Sequence, residues 1–438
     1  MTSEANIHDD TRAEDEVVDL LSALIKINTS NPTHVERPAA EWVAEQLADV
    51  GIESQILEAA PGRASTIARI SGADSSRPPL LIQGHLDVVP AEASEWSVDP
   101  FCGEVIDGQV WGRGAVDMKD MDAMVLAVVR EWQRTGRVPP RDIVLAFISD
   151  EEANSWKGAR WLVEHHADLF ADCTEAIGEV GGFSVTLDND IRLYLIQAAE
   201  KGLAWLRLRA NGRPGHGSMI HEYNAVTALA EAVSRIGGHK FPVVMTDTVR
   251  RFIDDLAEIT GLPLDSDNPE HALPKLGALS RMIGASLRNT ANPTMLSAGY
   301  KTNVVPSSAE ATIDARFLPG QGEELLATID ELIGDKITRE FISHDIAVET
   351  SFDGPLVEAM AAALRQEDPA GHVVPYLMSG GTDAKAFSTL GIRCFGFAPL
   401  QLPADLDFSS LFHGIDERVP VDALKFGVRV LDRFLSHC

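Results

Sequence analysis

The stretch "LLIQGHLDVVP", residues 80–90, sets a histidine and a carboxylate at the end of a strongly apolar run bounded by Gly84 and Pro90. The run reads as a buried strand, on which His85 and Asp87, two apart, point to the same face. A carboxylate beside an imidazole is the pairing that fixes the tautomer of a metal-bound histidine. The alternative is a satisfied core histidine with a turn-capping aspartate. Working outward, the run is followed by "MDAMVLAVVREWQR" (121–134), "DIVLAFIS" (142–149), "GARWLVEHH" (158–166) and "AIGEV" (176–180). Buried-strand runs alternating with amphipathic helical patterns predict a parallel or mixed sheet with helices on its faces. In such sheets ligands collect at the carboxyl ends of strands, so the chemistry is to be sought in the polar residues there.

A chain of 438 residues exceeds what one hydrophobic core usually supports, which points to two domains. Near residue 200 the pattern changes to an alternating strand, "KGLAWLRLRANG" (201–212), then a helix, "NAVTALAEAVSRIGG" (224–238). Two further strands, "TMLSAGYKTNVVP" (294–306) and "SAEATIDARFLP" (308–319), precede a helix at "GEELLATIDELIG" (322–334). This middle stretch reads as a small α+β unit inserted into the larger one, with a poorly periodic helical excursion at 241–293. The pattern then returns to α/β through "PLVEAMAAALRQED" (355–368) and "IRCFGFAPL" (392–400).

A formal charge of −29 repels nucleic acid and anionic membrane surfaces, so the expected partner is a small molecule. The polar, acidic start "MTSEANIHDDTRAEDE" lacks a basic and apolar leader, and no apolar stretch is long enough to cross a bilayer. A cytoplasmic protein is the expectation. The scattered Cys102, Cys173, Cys394 and Cys438 have no CxxC spacing, which argues against a disulfide framework or a thiolate zinc knuckle.

The other strand ends are acidic. In "GQVWGRGAVDMKDMDAMV" (108–125) a glycine-rich turn delivers Asp117 just before a helix, where an acid is ordinarily a cap. In "DIVLAFISDEE" (142–152) Asp150, Glu151 and Glu152 close an apolar strand. Three like charges at a buried end repel unless a cation compensates; a solvated loop start is the alternative. Adjacent residues face different ways, so Glu151 and Glu152 can divide the work, one on a metal and one moving protons. "EAIGEVGG" (175–182) repeats the arrangement with Glu179, and "SSLFHGIDERVP" (409–420) places His413 in a loop before the last helix. Nitrogen and oxygen donors without thiolate suit zinc, cobalt or manganese, and a shared carboxylate suits a two-metal hydrolytic site. Walker, Rossmann and GxSxG patterns are absent from the sequence.

In order and wording, "GHLDVVP", "WGRGAVDMKD", "SDEE", "GEVGG", "GRPGHGS", "KTNVVP", "DARFLPG", "SGGTDAKAF" and "LFHGIDERVP" resemble the M20 family of metallopeptidases and aminoacylases. That group includes glutamate carboxypeptidase, aminoacylase-1, succinyl-diaminopimelate desuccinylase and acetylornithine deacetylase. The resemblance implies an α/β, mixed-sheet zinc-hydrolase catalytic domain over 1–199 and 318–438. Inserted in it, over 200–317, would be an α+β, ferredoxin-like dimerisation and lid domain of a homodimer.

It further implies two Zn2+ per subunit, with Co2+ or Mn2+ as substitutes: Asp117 bridging, His85 and Glu179 on one ion, Glu152 and His413 on the other. Glu151 would be the general base and Asp87 the residue orienting His85. His216 would reach the substrate, usually that of the partner subunit, with His221 a bystander. Asn303 and Arg316 match positions that bind the substrate's carboxylate or carbonyl, an Arg fork suiting a carboxylate. Gly380, Gly381 and Thr382 would offer backbone amides, and the Asp117–Met118 bond is cis in the family. The implied reaction is hydrolysis of an amide next to a free carboxylate, in a peptide or an N-acyl amino acid. Glu rather than Asp at 179 leans toward the aminoacylase and carboxypeptidase branch. The rivals are a carbamoyl or ureido C–N amidohydrolase on the same site and a non-catalytic metal-binding relative.

Overall fold

The apolar runs fold into the core of a mixed sheet in the computed structural model, which describes residues 12–187, 191–267, 269 and 279–438. The acidic residues 1–11 and part of the 241–293 excursion lie outside these. Four strands stand side by side and parallel: Ile143–Ile148, Leu80–His85, Glu175–Gly178 and Arg393–Gly396. Strands covered on both faces read as continuous apolar runs, and every residue of Leu80–His85 and Ile143–Ile148 is buried. Antiparallel neighbours flank this core: Arg63–Ile70 and Ser54–Ala60 on one side, Arg192–Glu200 on the other. The register sets His85 level with Ile148 and Leu80 level with Glu175, so three strand ends emerge along one edge.

The helix Lys119–Thr135 stops at Gly136, in the left-handed conformation (φ 70°) that glycine adopts without strain. It packs with the helices Ala13–Lys26 and Val421–Leu435. It also runs close beneath the strand bearing His85: a Cβ at Gly84 would lie 2.3 Å from Asp122 Oδ1. Any side chain directly before the histidine would have to displace Asp122 and Met118.

The chain divides into two compact units, one made of the chain to Ala198, Phe352–Pro375 and Thr382–Cys438, the other of Ala199–Ser351 and Tyr376–Gly381. In the second unit the order is strand Gly202–Asn211, helix Ala225–Gly238, strands Thr290–Ala298 and Ser308–Phe317, helix Gly322–Ile333, strand Ile337–Asp345. Its antiparallel sheet runs Thr290–Ala298, Ser308–Phe317, Gly202–Asn211, Ile337–Asp345. This is the ferredoxin-like β-α-β-β-α-β arrangement. The helices Asp247–Thr260 and Leu279–Ser286 lie between its first helix and second strand.

The expected boundary at 317/318 moves to 351/352 for a physical reason. Gly202–Asn211 pairs along both edges, and a unit ending at 317 would strip one of them. Leu325, Ile329, Ile333 and Ile337 also belong to the same buried cluster as Leu206, Leu208 and Ile313. Replacing Ile313, which has no exposed surface, by Ala leaves a cavity in that cluster. The second unit is expected to lose about 2–5 kcal/mol for Ile313→Ala and about 0.5–1.5 kcal/mol for Ile313→Val, measured by urea denaturation.

Candidate functional site

The edge at which the strands end gathers the acids and imidazoles. His85 Nε2 lies 3.1 Å from Asp117 Oδ1 and 3.5 Å from Glu179 Oε2. On the other side of the same aspartate, His413 Nε2 lies 3.2 Å from Asp117 Oδ2 and 3.2 Å from Glu152 Oε2. His85 and Glu179 reach this point from neighbouring parallel strands. Asp117 comes from the turn before the helix Lys119–Thr135, and its peptide bond to Met118 is cis. His413 comes from a loop at left-handed φ (57°), with its ring half exposed.

Two sets of three donors therefore share Asp117, and each set is compact enough to hold a metal ion. Ligands bonded at 2.0–2.2 Å around a tetrahedral ion stand about 3.3 Å apart, which the observed spacings of 3.1–3.5 Å match. Glu152 Oε1, buried and without a hydrogen-bond partner, adds a free donor. The donors are nitrogen and oxygen only, the chemistry of zinc, cobalt or manganese.

The electrostatics say the same. Burial pushes the Glu151 carboxyl well above its usual range, with the Glu179 charge adding to it. Glu152 is raised to about 7, by burial first and then by Asp117, and burial raises Glu179 as well. Hydrogen bonds to Asp117 and Glu152 push His413 up to about 10. For His85 burial opposes the charged form, but Glu179 and Asp117 outweigh it and the imidazole is raised well above its ordinary value. Anions that draw a proton onto each imidazole are anions that a divalent cation would compensate.

Asp87 does something other than orient His85 through its carboxylate. His85 Nδ1 faces the Asp87 main-chain oxygen at 2.9 Å, while the nearer carboxylate oxygen is 3.8 Å away. The carboxylate instead accepts the backbone N–H groups of Glu151 (3.0 Å) and Glu152 (3.1 Å) and the Asn31 side-chain amide (3.0 Å). It holds the one-turn helix Glu151–Ala153, entered through Asp150 at left-handed φ (68°). Asp150 turns inward, accepting from Asn31 and from the Lys157 N–H. Glu151 belongs to neither donor set. Asn31, distant in sequence and in a loop, carries no local signal of this contact.

Thr382 and Asp383 belong to the same unit. Asp383 accepts from the Ser155 hydroxyl, and burial raises its carboxyl to about 8. Gly380 and Gly381 belong to the second unit. There the two-residue strand Gly215–His216 pairs with Val304–Val305, and the Gly217 N–H donates to the Asn303 carbonyl at 2.9 Å, which brings His216 and Asn303 together. His216 Nδ1 meets the Ser218 hydroxyl at 2.8 Å, and His221 Nε2 meets the His216 carbonyl at 3.1 Å. Arg316 is forked onto Asp314. Beside them is a residue the sequence reading passed over: Lys201, 1% exposed, whose ammonium has no hydrogen-bond partner. Burial, then Arg316, lowers it to about 8. Its signal was a lysine set within the apolar "LIQAAEKGLAWL".

Residues 81–437 match the sequence profile of Peptidase family M20/M25/M40. The N-fatty-acyl-amino acid synthase/hydrolase PM20D1 of Xenopus tropicalis is 28% identical over 443 residues, covering 94% of this chain and 84% of that protein. Aminoacylase-1 of Sus scrofa is 27% identical over 429 residues, covering 96% and 94%. Among solved structures, the M20 family metallo-carboxypeptidase Sso-CP2 of Sulfolobus solfataricus has the same fold, with a TM-score of 0.74 at 19% identity over 97% of this chain and 99% of that one. With a profile match over most of its length and the paired donor sets at its strand ends, the chain belongs to Peptidase family M20/M25/M40 and is an M20-type hydrolase of C–N bonds.

Proposed function

We propose that the chain hydrolyses an amide bond next to a free carboxylate, in a peptide or an N-acyl amino acid, with two zinc ions per subunit. The observation that carries this reading is the single carboxylate between two imidazoles: each oxygen of Asp117 faces one histidine, and each pair is completed by one further glutamate. His85, Asp117 and Glu179 would hold one ion, Asp117, Glu152 and His413 the other. Zinc, or cobalt or manganese in its place, supplies Lewis-acid polarisation of the scissile carbonyl and of the attacking water.

The remaining work falls to the chain's own groups. Glu151 stands outside both donor sets, and its raised proton affinity suits it to take a proton from water and pass it to the leaving nitrogen. Asp87 keeps Glu151 in place through the backbone of its turn. His216, Asn303 and the backbone of Gly380, Gly381 and Thr382 are assigned to the carbonyl oxygen of the substrate. Arg316 and Lys201 are assigned to its carboxylate, a planar anion that a guanidinium fork fits. The chain would work as a cytoplasmic homodimer. Four free cysteines agree with a reducing compartment. The outer strand Thr290–Ala298, which exposes Met295 and Leu296, offers an apolar edge for a second copy.

Screening the metal-loaded protein against N-acyl amino acids, dipeptides and ureido acids is expected to show turnover of the first two classes; turnover of ureido acids alone would overturn the reading. Glu151→Gln should lower kcat by about 10²–10⁴-fold with the metal content unchanged, counted by atomic absorption. Substantial residual turnover would remove Glu151 from the base role. Metal uptake should also release protons near neutrality. Both imidazoles have raised proton affinity in the metal-free chain, so they are protonated there and must lose the proton to coordinate. Affinity therefore rises with pH. Calorimetric metal titration in buffers of different ionisation enthalpy measures the release, and zero release would contradict the assignment of these ligands.

A further inference from the structure

We infer that Glu417, paired with Arg113, is a positioning residue that locks the Asp117 turn and the His413 loop to each other and so sets the geometry of the second metal site. The inference rests on the two-metal reading above. His413 and Glu417 share the loop "FHGIDE" (412–417), whereas Asp117 belongs to a turn some three hundred residues earlier in the chain. Nothing in local sequence joins them. Glu417 does: its fully buried carboxylate accepts the Val116 N–H at 2.8 Å and the Asp117 N–H at 3.2 Å on one oxygen. The other oxygen accepts the Arg113 guanidinium at 2.7 Å. The Glu417 carbonyl completes the tie by accepting the Gly112 N–H at 2.9 Å.

The flanking backbone makes this clamp rigid. Immediately after Glu417, the strand Arg418–Pro420 pairs antiparallel with Gln109–Trp111, which immediately precedes the glycine-rich turn. The Arg113 N–H donates to the Pro100 carbonyl at 2.8 Å, and its guanidinium lies 5.1 Å over the Trp96 ring. Arg113 is thus held from two sides while it holds Glu417. The bridging carboxylate is delivered by a backbone N–H that Glu417 fixes, and the imidazole facing its Oδ2 lies four residues upstream of Glu417 on the same loop. Partners that orient metal ligands in this way typically change metal affinity 10–100-fold when removed.

Three variants test the inference: Glu417→Gln, which keeps the shape but loses the charge facing Arg113; Arg113→Lys, which keeps the charge but loses the fixed fork; and Glu367→Gln. The last breaks an ion pair to Arg429 in the same unit, 2.7 Å long and between two helices that carry no donor, Pro355–Glu367 and Val421–Leu435, and serves as the stability control. Zinc binding is followed by isothermal titration and by the visible spectrum of the cobalt-substituted protein, with thermal melting alongside. The wild-type chain should bind two ions. Glu417→Gln should bind one as wild type and the other 10–100-fold more weakly, with an altered cobalt spectrum and a fall in kcat at near-constant KM. Arg113→Lys should show the same change to a smaller extent, and it decides the matter if Glu417→Gln does not fold. Glu367→Gln should lower Tm without altering metal binding. If the Glu417 and Arg113 variants keep both affinities and the cobalt spectrum and lose only Tm, as the control does, the inference is overturned. A wild-type chain that binds fewer than two ions overturns the two-metal reading itself, and the positioning role with it.

Discussion

The constraint on which the rest of the structure depends is the crowding of anions at one edge of an apolar sheet. Asp117, Glu151, Glu152, Glu179, Asp87 and Asp383 converge there, most of them buried. Burying a single unpaired carboxylate costs several kcal/mol, so a cluster of this kind persists only with protons, cations or dense hydrogen bonding to compensate. The chain supplies two imidazoles, and the surrounding backbone supplies N–H donors. The two imidazoles face Asp117, Glu152 and Glu179, backbone N–H groups meet Asp87, and the Ser155 hydroxyl meets Asp383.

Rigidity comes from the parallel strands beneath and from polar ties behind. Asn31 joins Asp87 to Asp150, its carbonyl accepts from Arg63, and Arg63 pairs with the fully buried Glu36. That chain of contacts connects the acidic turn to the helix Arg37–Ala48 through Glu36, its N-terminal flanking residue. Lys119, with no exposed surface, ties the start of its helix to the carbonyls of Leu24 and Ile27. Small displacements at a metal or catalytic centre are costly, and these contacts resist them from outside the donor sets.

Much of this was legible in the sequence because an apolar run ending in an acid or a histidine is a local pattern. His85, Glu152 and Glu179 follow such runs, and the structure sets them side by side as a parallel sheet requires. Asp87 was visible as a neighbour of His85, but which of its oxygens serves the imidazole depends on a turn more than sixty residues away, which the carboxylate holds instead. The end of the inserted unit was misread because the closing helix and strand, Gly322–Ile333 and Ile337–Asp345, look like any α/β pair. Their membership is decided by the pairing of Ile337–Asp345 with Gly202–Asn211. Lys201 and Asn31 are single polar residues whose partners are set by tertiary structure alone.

The split of the first unit around Ala199–Ser351 has a consequence for biosynthesis. On the ribosome, His85, Asp117, Glu152 and Glu179 emerge ahead of the inserted unit and His413 after it. A nascent chain thus carries one complete set of three donors well before the second set gains its imidazole. Ala199–Ser351, the larger part of the second unit, emerges in the interval, and Tyr376–Gly381, which completes that unit, follows it. Even the sheet beneath the first donors waits for the insert, because the strand Arg393–Gly396 that pairs with Glu175–Gly178 is made after it.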